Sequence, residues 1–359
     1  MSKFTYYPNT CLVTGGAGFI GCALSTDLMD RFERVVMVDN LHPQIHAEPQ
    51  RPTALDSRCE LIVADICDPA TWDTLLPDFA PETIVHLAAE TGTGQSLTEA
   101  SRHAMVNVVG TSQLLDGLHR HGTIPRQLLL SSSRAIYGEG AWLHAEGDVY
   151  YPGQRSAEQL AKGQWDFEGA TPLPFRAGHT QPMPTSIYGS TKLAQEHLIT
   201  VWALAHGVST RILRLQNVYG PGQSLTNPYT GIVSLFVRLA KQGEAIPLYE
   251  DGAMTRDFVL INDVVSAFLA ALDAQQGSFV FDVGTGDATS IAQIASMIAH
   301  RYGAPEPFIS ARFRNGDVRH ASCSIEDIRT NLAWQPHFSL AAGLGLLCDW
   351  IDIQLNAKN

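Results

Sequence analysis

Short apolar runs rich in β-branched residues recur at 11–14, 35–38, 61–64, 83–87, 127–131 and 211–215, each followed by sequence with helical spacing of its apolar positions. This alternation predicts β-α-β units. Strands that are apolar on both sides need cover on both faces, so the pattern predicts a parallel sheet flanked by helices, a doubly wound α/β fold of the Rossmann type. Such sheets take ligands beyond the carboxyl ends of their strands. Candidate chemistry is therefore sought there.

The alternation stops over 138–187, a stretch with five prolines and one weakly helical segment, near 157–162. It reads as an insertion, either a plain surface loop or a lid over the site. Beyond Leu215 the pattern is mixed, with helices expected at 231–241, 263–274, 291–300 and 340–355. The expected organisation is a Rossmann domain over 1–218 carrying the insertion, and a smaller mixed α/β substrate-binding lobe over 219–359. Residues 256–284 are expected to return to the first domain.

Composition narrows the partners. With 24 Lys+Arg against 36 Asp+Glu the net charge is −12, which disfavours nucleic acid and anionic membrane surfaces. No apolar run approaches the ~20 residues needed to cross a bilayer, and no signal-peptide pattern precedes the first strand, so a cytoplasmic location is expected. The six cysteines, at 11, 22, 59, 67, 323 and 348, include no C-x-x-C pair and read as reduced structural thiols. His42 and His46 are four apart, but Pro43 argues against a helical pair; they are expected on a surface loop, with no metal.

The first strand runs into Gly15-Gly16-Ala17-Gly18-Phe19-Ile20-Gly21, and Ile20, Ala23, Leu24 and Leu28 then follow a helical period. Glycines at 15, 18 and 21 supply a tight turn, a close backbone approach and close helix–strand packing, with a helix amino terminus aimed at phosphates. The expected ligand is a dinucleotide. Asp39 ends strand two, followed by Asn40, where a carboxylate accepts hydrogen bonds from ribose hydroxyls and repels a 2′-phosphate, favouring NAD over NADP. Asp65 and Ile66 at the end of strand three, and Leu87, Ala88 and Ala89 at the end of strand four, are expected along the same cofactor. Asp65 could instead cap a helix starting at Pro69, and the alanines could simply pack.

Tyr188 and Lys192 form the chain's one Tyr-x-x-x-Lys pair, on one face of a helix, where an ammonium can acidify a phenol into a base for an alcohol. Strand five ends in Ser131-Ser132-Ser133-Arg134-Ala135-Ile136-Tyr137-Gly138, which delivers hydroxyls to the same edge. Ser133 is the candidate for orienting the substrate oxygen. Glycine triplet, Asp39, strand-five serines and Tyr-x-x-x-Lys, in that order, resemble the extended short-chain dehydrogenase/reductase family over nearly the whole chain. The resemblance implies Ser133, Tyr188 and Lys192 as catalytic residues and Asn107, Tyr188 and Lys192 at the cofactor, NAD. It also implies a homodimer formed through the helices that carry Asn107 and Tyr188, and a nucleotide-diphosphate sugar as substrate.

The dehydratases and decarboxylases of that family place acids just after the strand-five hydroxyl, where this chain has Arg134 and Ala135. Such a site can oxidise an alcohol but lacks groups for elimination, so the resemblance implies a 4-epimerase that oxidises C4 and re-reduces it on the other face. It also implies Arg134, Asn217, Arg256 and Arg319 as substrate ligands, the guanidinium groups meeting the diphosphate. Asn217 could instead serve the turn before Gly220 and Pro221, and the arginines could be ordinary ion-pair residues. The wording Gln216-Asn217-Val218-Tyr219-Gly220-Pro221-Gly222-Gln223 through Asn227-Pro228-Tyr229-Thr230-Gly231-Ile232 is similar to epimerases of dTDP-6-deoxyhexoses such as dTDP-L-rhamnose. Glu90-Thr91-Gly92 and Ala135 depart from UDP-galactose 4-epimerases. Alternatives are a UDP-sugar 4-epimerase, a 4-ketosugar reductase, or a non-catalytic NAD-binding sensor.

Overall fold

The computed structural model describes residues 6–46, 48–225 and 231–356; part of the Asn227-to-Ile232 wording thus lies outside the described residues. Seven parallel strands form the central sheet: β1 Tyr7–Thr14, β2 Arg34–Asp39, β3 Glu60–Val63, β4 Pro81–His86, β5 Gln127–Ser133, β6 Ser209–Leu215 and β7 Phe279–Val283. Their order across the sheet is β7-β6-β5-β4-β1-β2-β3. All six expected strands are present, with ends moved by at most four residues. The seventh, Phe279–Val283, pairs in parallel with β6, Phe279 opposite Arg211 and Val283 opposite Leu215.

Apolar residues on both faces of each strand dictate a layer on each side. One layer joins Val13, Leu24, Leu28, Val264, Phe268 and Val283, and so packs the Phe19–Met29 and Ile261–Asp273 helices on the sheet. The other joins Leu12, Val36, Trp72, Leu114, Leu128 and Ile199, under the Pro69–Leu75, Thr111–Arg120 and Ile187–His206 helices. The C-terminal lobe has its own core of Val237, Phe236, Ile294, Ile298 and Leu347, from the Ile232–Lys241, Ile291–Tyr302 and Leu340–Asn356 helices. Short sheets bind this lobe together: Asn217–Tyr219 beside Phe258–Leu260, and Thr255–Arg256 between Thr289–Ser290 and His320–Ala321.

The 138–187 insertion is ordered. It holds a small antiparallel sheet in which Trp142–His144 pairs with Val149–Tyr150 and Ala170–Pro172, and an Ala157–Ala161 helix capped by Ser156. Trp142, Arg155, Leu160 and Phe175 are buried. Arg155 joins Glu139 at 3.1 Å and Glu250 at 2.9 Å, and Arg176 joins Asp327 at 2.7 Å, so the insertion is riveted to the C-terminal lobe. Among the described residues, none from 138–186 lines the large cleft.

Candidate active site

A cleft of about 820 Å³ runs along the carboxyl edge of the sheet, lined by the ends of β1 to β6 and by residues of the C-terminal lobe. At its centre β1 passes into Gly15, at φ 67°, where a Cβ would lie 2.7 Å from the Ala88 backbone nitrogen. Only glycine allows the turn and the end of β4 to approach this closely. The Phe19–Met29 helix starts at Gly18 with no side-chain cap, and Phe19, Ile20 and Gly21 line the cleft. Uncapped first-turn N–H groups and the helix dipole suit an anion.

Asp39 accepts from the backbone N–H groups of Ala17 (3.1 Å) and Leu41 (2.9 Å), tying β2 to the glycine turn. Asp65 accepts from the Cys67 N–H (2.8 Å) and from Asn40 (3.3 Å). The capping role open to Asp65 falls to Asp68, which accepts from the Ala70 N–H. Asn40, Ile66, Leu87, Ala88 and Ala89 all line the cleft with the two carboxylates.

His42 and His46 lie on a loop after β2, as expected, and both also line the cleft. Gln44 and Gln95 exchange both amide hydrogen bonds, at 2.9 and 3.0 Å, and Arg102 reaches Gln44 (3.0 Å) and Glu90 (2.8 Å). Two other expectations, for Asn107 and Arg319, need correction. Asn107 is fully buried and does not line the cleft. Its carboxamide accepts from the Glu90 N–H (2.7 Å) and donates to the Glu90 carbonyl (3.0 Å) and Thr191 (2.9 Å), so it fixes Glu90, which does line the cleft. Arg319 also lies outside the cleft. Its buried guanidinium is consumed by Asp166 (2.9 and 3.0 Å), Asp251 (2.7 and 2.8 Å) and Glu250 (3.0 Å), leaving no donor for a phosphate.

Ser133, Tyr188 and Lys192 share the cleft with the glycine turn. The Ile187–His206 helix begins under Ser186, whose hydroxyl accepts from the Gly189 N–H at 3.0 Å. A Cβ at Gly189 would lie 2.3 Å from the Ala135 carbonyl oxygen, and its absence lets the helix close on the end of β5. This packing brings together residues 55 positions apart, which local spacing alone could not do. Burial pushes the Tyr188 phenol up, while the neighbouring Ser133 hydroxyl and the Arg134 charge pull it down. Lys192, by contrast, donates to Gln195 Oε1 at 2.5 Å, and burial pulls its ammonium down to about 7.

At the other end, Arg134 donates to Asn217 Oδ1 (2.8 Å), and Arg256 donates to the Thr255 carbonyl (2.7 Å) and Asp317 (3.2 Å). Arg134, Asn217, Arg256 and Asp317 line the cleft. Burial and then the neighbouring Arg256 charge lower the Arg134 guanidinium to about 9. The sequence reading missed Asp317, two residues before Arg319, and Gln195, three residues after Lys192 and hence on the same helix face. It also missed Arg314, which lies over the Tyr249 ring and borders a smaller pocket with Asp317 and Thr93.

The family model for the NAD dependent epimerase/dehydratase family matches residues 11–163 and 166–284. The chain belongs to this family. It is 59% identical to a dTDP-L-rhamnose 4-epimerase of Burkholderia thailandensis, over 97% of this chain and 96% of that one. Among solved structures, it is similar to the Thermotoga maritima UDP-glucose 4-epimerase with UDP-glucose (28% identity, TM-score 0.77, 96% of this chain and 99% of that one). The Thermus thermophilus UDP-glucose 4-epimerase complex with NAD is similar too (27% identity, TM-score 0.75, 96% and 99%). Membership of this family accounts for the glycine turn, the Ser133/Tyr188/Lys192 set and the acidic strand ends being found in one cleft.

Proposed function

We propose that the chain is an NAD-dependent nucleotide-sugar 4-epimerase acting on a dTDP-6-deoxyhexose such as dTDP-L-rhamnose. The observation that carries this reading is that Ser133, Tyr188 and Lys192 line the same cleft as the glycine turn, with Arg134 and Ala135 where an elimination catalyst needs acids. The 59% identity to the Burkholderia thailandensis enzyme favours the rhamnose nucleotide.

The cofactor wall fits NAD: a turn too tight for a Cβ, an uncapped helix end for the pyrophosphate, and Asp39 for a ribose diol that carries no phosphate. Gly15, Gly18, Phe19, Ile20, Gly21, Asn40, Asp65, Ile66, Leu87, Ala88 and Ala89 would hold it with Asp39. When bound, NAD supplies the hydride acceptor at C4 and gives the hydride back. Tyr188 takes the C4 hydroxyl proton and later returns it, Ser133 orients that oxygen, and Lys192 keeps positive charge beneath the phenol. Arg134, Asn217 and Arg256 hold the sugar diphosphate, Arg256 in a forked arrangement that suits phosphate oxygens.

Incubation with dTDP-L-rhamnose and catalytic NAD, followed by NMR, should yield the C4 epimer with no net NADH. Stoichiometric NADH turnover would instead identify a ketosugar reductase, and no conversion with any nucleotide sugar would leave a sensor.

The enzyme is read as a homodimer. Leu204 (83% exposed) and Val201 (69%) on one helix, with Met105 and Val109 on the helical run packed beside it, leave an apolar face in solvent. Light scattering should give twice the chain mass, and Leu204→Asp should halve it. A cytoplasmic setting agrees with six free cysteines, and among the described residues no helix is long and apolar enough to cross a membrane.

A further inference from the structure

The shortest contact of the Lys192 ammonium is with a neutral group, and the nearest acid on its helix is committed elsewhere. Glu196 makes a two-pronged pair with Arg214 (3.0 and 2.7 Å) and accepts from Ser132 (2.5 Å). Gln195, with no exposed surface, accepts from Lys192 Nζ through Oε1. Its Nε2 donates to Thr111 Oγ1 (2.9 Å) and lies 3.2 Å from His86 Nε2. Thr111 in turn donates to the Asn107 carbonyl at 2.6 Å. Both ends of the Gln195 amide are occupied, so it cannot rotate without stranding a buried polar atom.

We propose that Gln195 is the positioning residue for Lys192, holding the ammonium at the floor of the cleft without cancelling its charge. A carboxylate at this place would hold the lysine equally well but would form an ion pair, and the phenol one turn away would lose the benefit of the cation. An apolar side chain would leave the charge but remove its anchor. The other titratable groups around Lys192 cannot take over the task. His86 on β4 is pulled down to about 3, by burial first and then by the Lys192 charge, so it carries no charge to offer. Arg134 and Arg214 are cations. His103 stacks edge-on to the Tyr188 ring, with centroids 6.4 Å apart, and Tyr137 bonds to Asp282 on the far side of Arg214.

The proposal deepens the epimerase reading and rests on it for the use made of the charge, while its primary test needs no substrate. The chain has five lysines, so Cε-labelled lysine gives a simple NMR spectrum, and Lys192→Met assigns the Lys192 signal. Gln195→Met should move the Lys192 titration down, and Gln195→Glu should move it up, each by about one pH unit or more. In turnover, kcat should fall about tenfold in either variant with KM within about twofold, because neither touches the substrate. The alkaline limb of the kcat profile should move to lower pH in Gln195→Met, and the acid limb to higher pH in Gln195→Glu. A Lys192 midpoint that stays the same in wild type and both variants overturns the proposal. Should Gln195→Met fail to fold, Gln195→Glu, which keeps the side-chain shape, decides by the same criterion. A wild type inactive on dTDP-L-rhamnose would overturn the substrate assignment and leave this titration intact.

Discussion

Two arginine clusters adjoin at the Asp317–Arg319 segment and use the same side chain for opposite ends. Arg134 and Arg256 face the cleft with an amide, two carbonyls and one 3.2 Å contact to Asp317 as partners. Arg155 and Arg319, under the insertion, are buried and shared among Glu139, Glu250, Asp251 and Asp166. A guanidinium with its donors spent fixes one lobe to another; one with donors to spare can bind an anion. Sequence motifs report the residue type and not this difference.

Substitutions should therefore separate the two regions into activity effects and stability effects. The largest loss is expected in the cleft: Tyr188→Phe should lower kcat about a thousandfold while leaving the thermal midpoint nearly unchanged, a split that calorimetry and steady-state kinetics would show together. Next comes the buried cluster. Arg319→Met leaves Glu250 with one cation instead of two, and should cost about 3 kcal/mol by urea unfolding, with KM for the nucleotide sugar within about twofold. A raised KM at full stability would return Arg319 to the substrate.

Arg256→Met is the converse case. It should raise KM about thirtyfold, as expected for a charge-assisted contact worth about 2 kcal/mol, with little change in unfolding. The smallest effect depends on pH. His86, ordinarily near ~6.5, is held at about 3 in the fold, so the unfolded chain binds more protons between these values and His86 costs stability as pH falls through that window. At pH 5 the cost is about 2 kcal/mol (roughly 1.5 pH units at about 1.4 kcal/mol each). Asp282, raised to about 7 by burial, has the opposite slope, because the native state holds its proton there. The two offset in the wild type, so the check is His86→Gln: its urea midpoint should gain on the wild type as pH is lowered from 7 to 5.

The sheet was legible because burial on both faces forces near-continuous apolar runs, and the glycine turn because steric demands admit one residue type. β7 escaped notice: Phe279–Val283 contains Asp282, a buried acid bonded to Tyr137, which breaks the apolar run. The catalytic set was legible as residue types, but its convergence depends on how Gly189 meets Ala135, a contact across the insertion. Asn107 was expected at the cofactor from the resemblance alone, and the π-helical turn Met105–Gly110 with its bonds to Glu90, which set it behind the cleft wall, are not encoded in spacing. Arg319 failed for a similar reason. Its acids come from 166 and 250–251, far away in the chain.

The return of the chain to the central sheet bears on how this molecule can be made. The helix that covers Phe19–Met29, and the last strand beside β6, are supplied by residues 261–283, after the chain has already entered the other lobe. A nascent polypeptide released only as far as residue 218 lacks that outer strand and exposes the apolar flank of its glycine helix. Ribosomal synthesis must run some sixty residues further before the nucleotide-binding half can close, so a proteolytic or engineered cut between the lobes should not liberate a stable fragment.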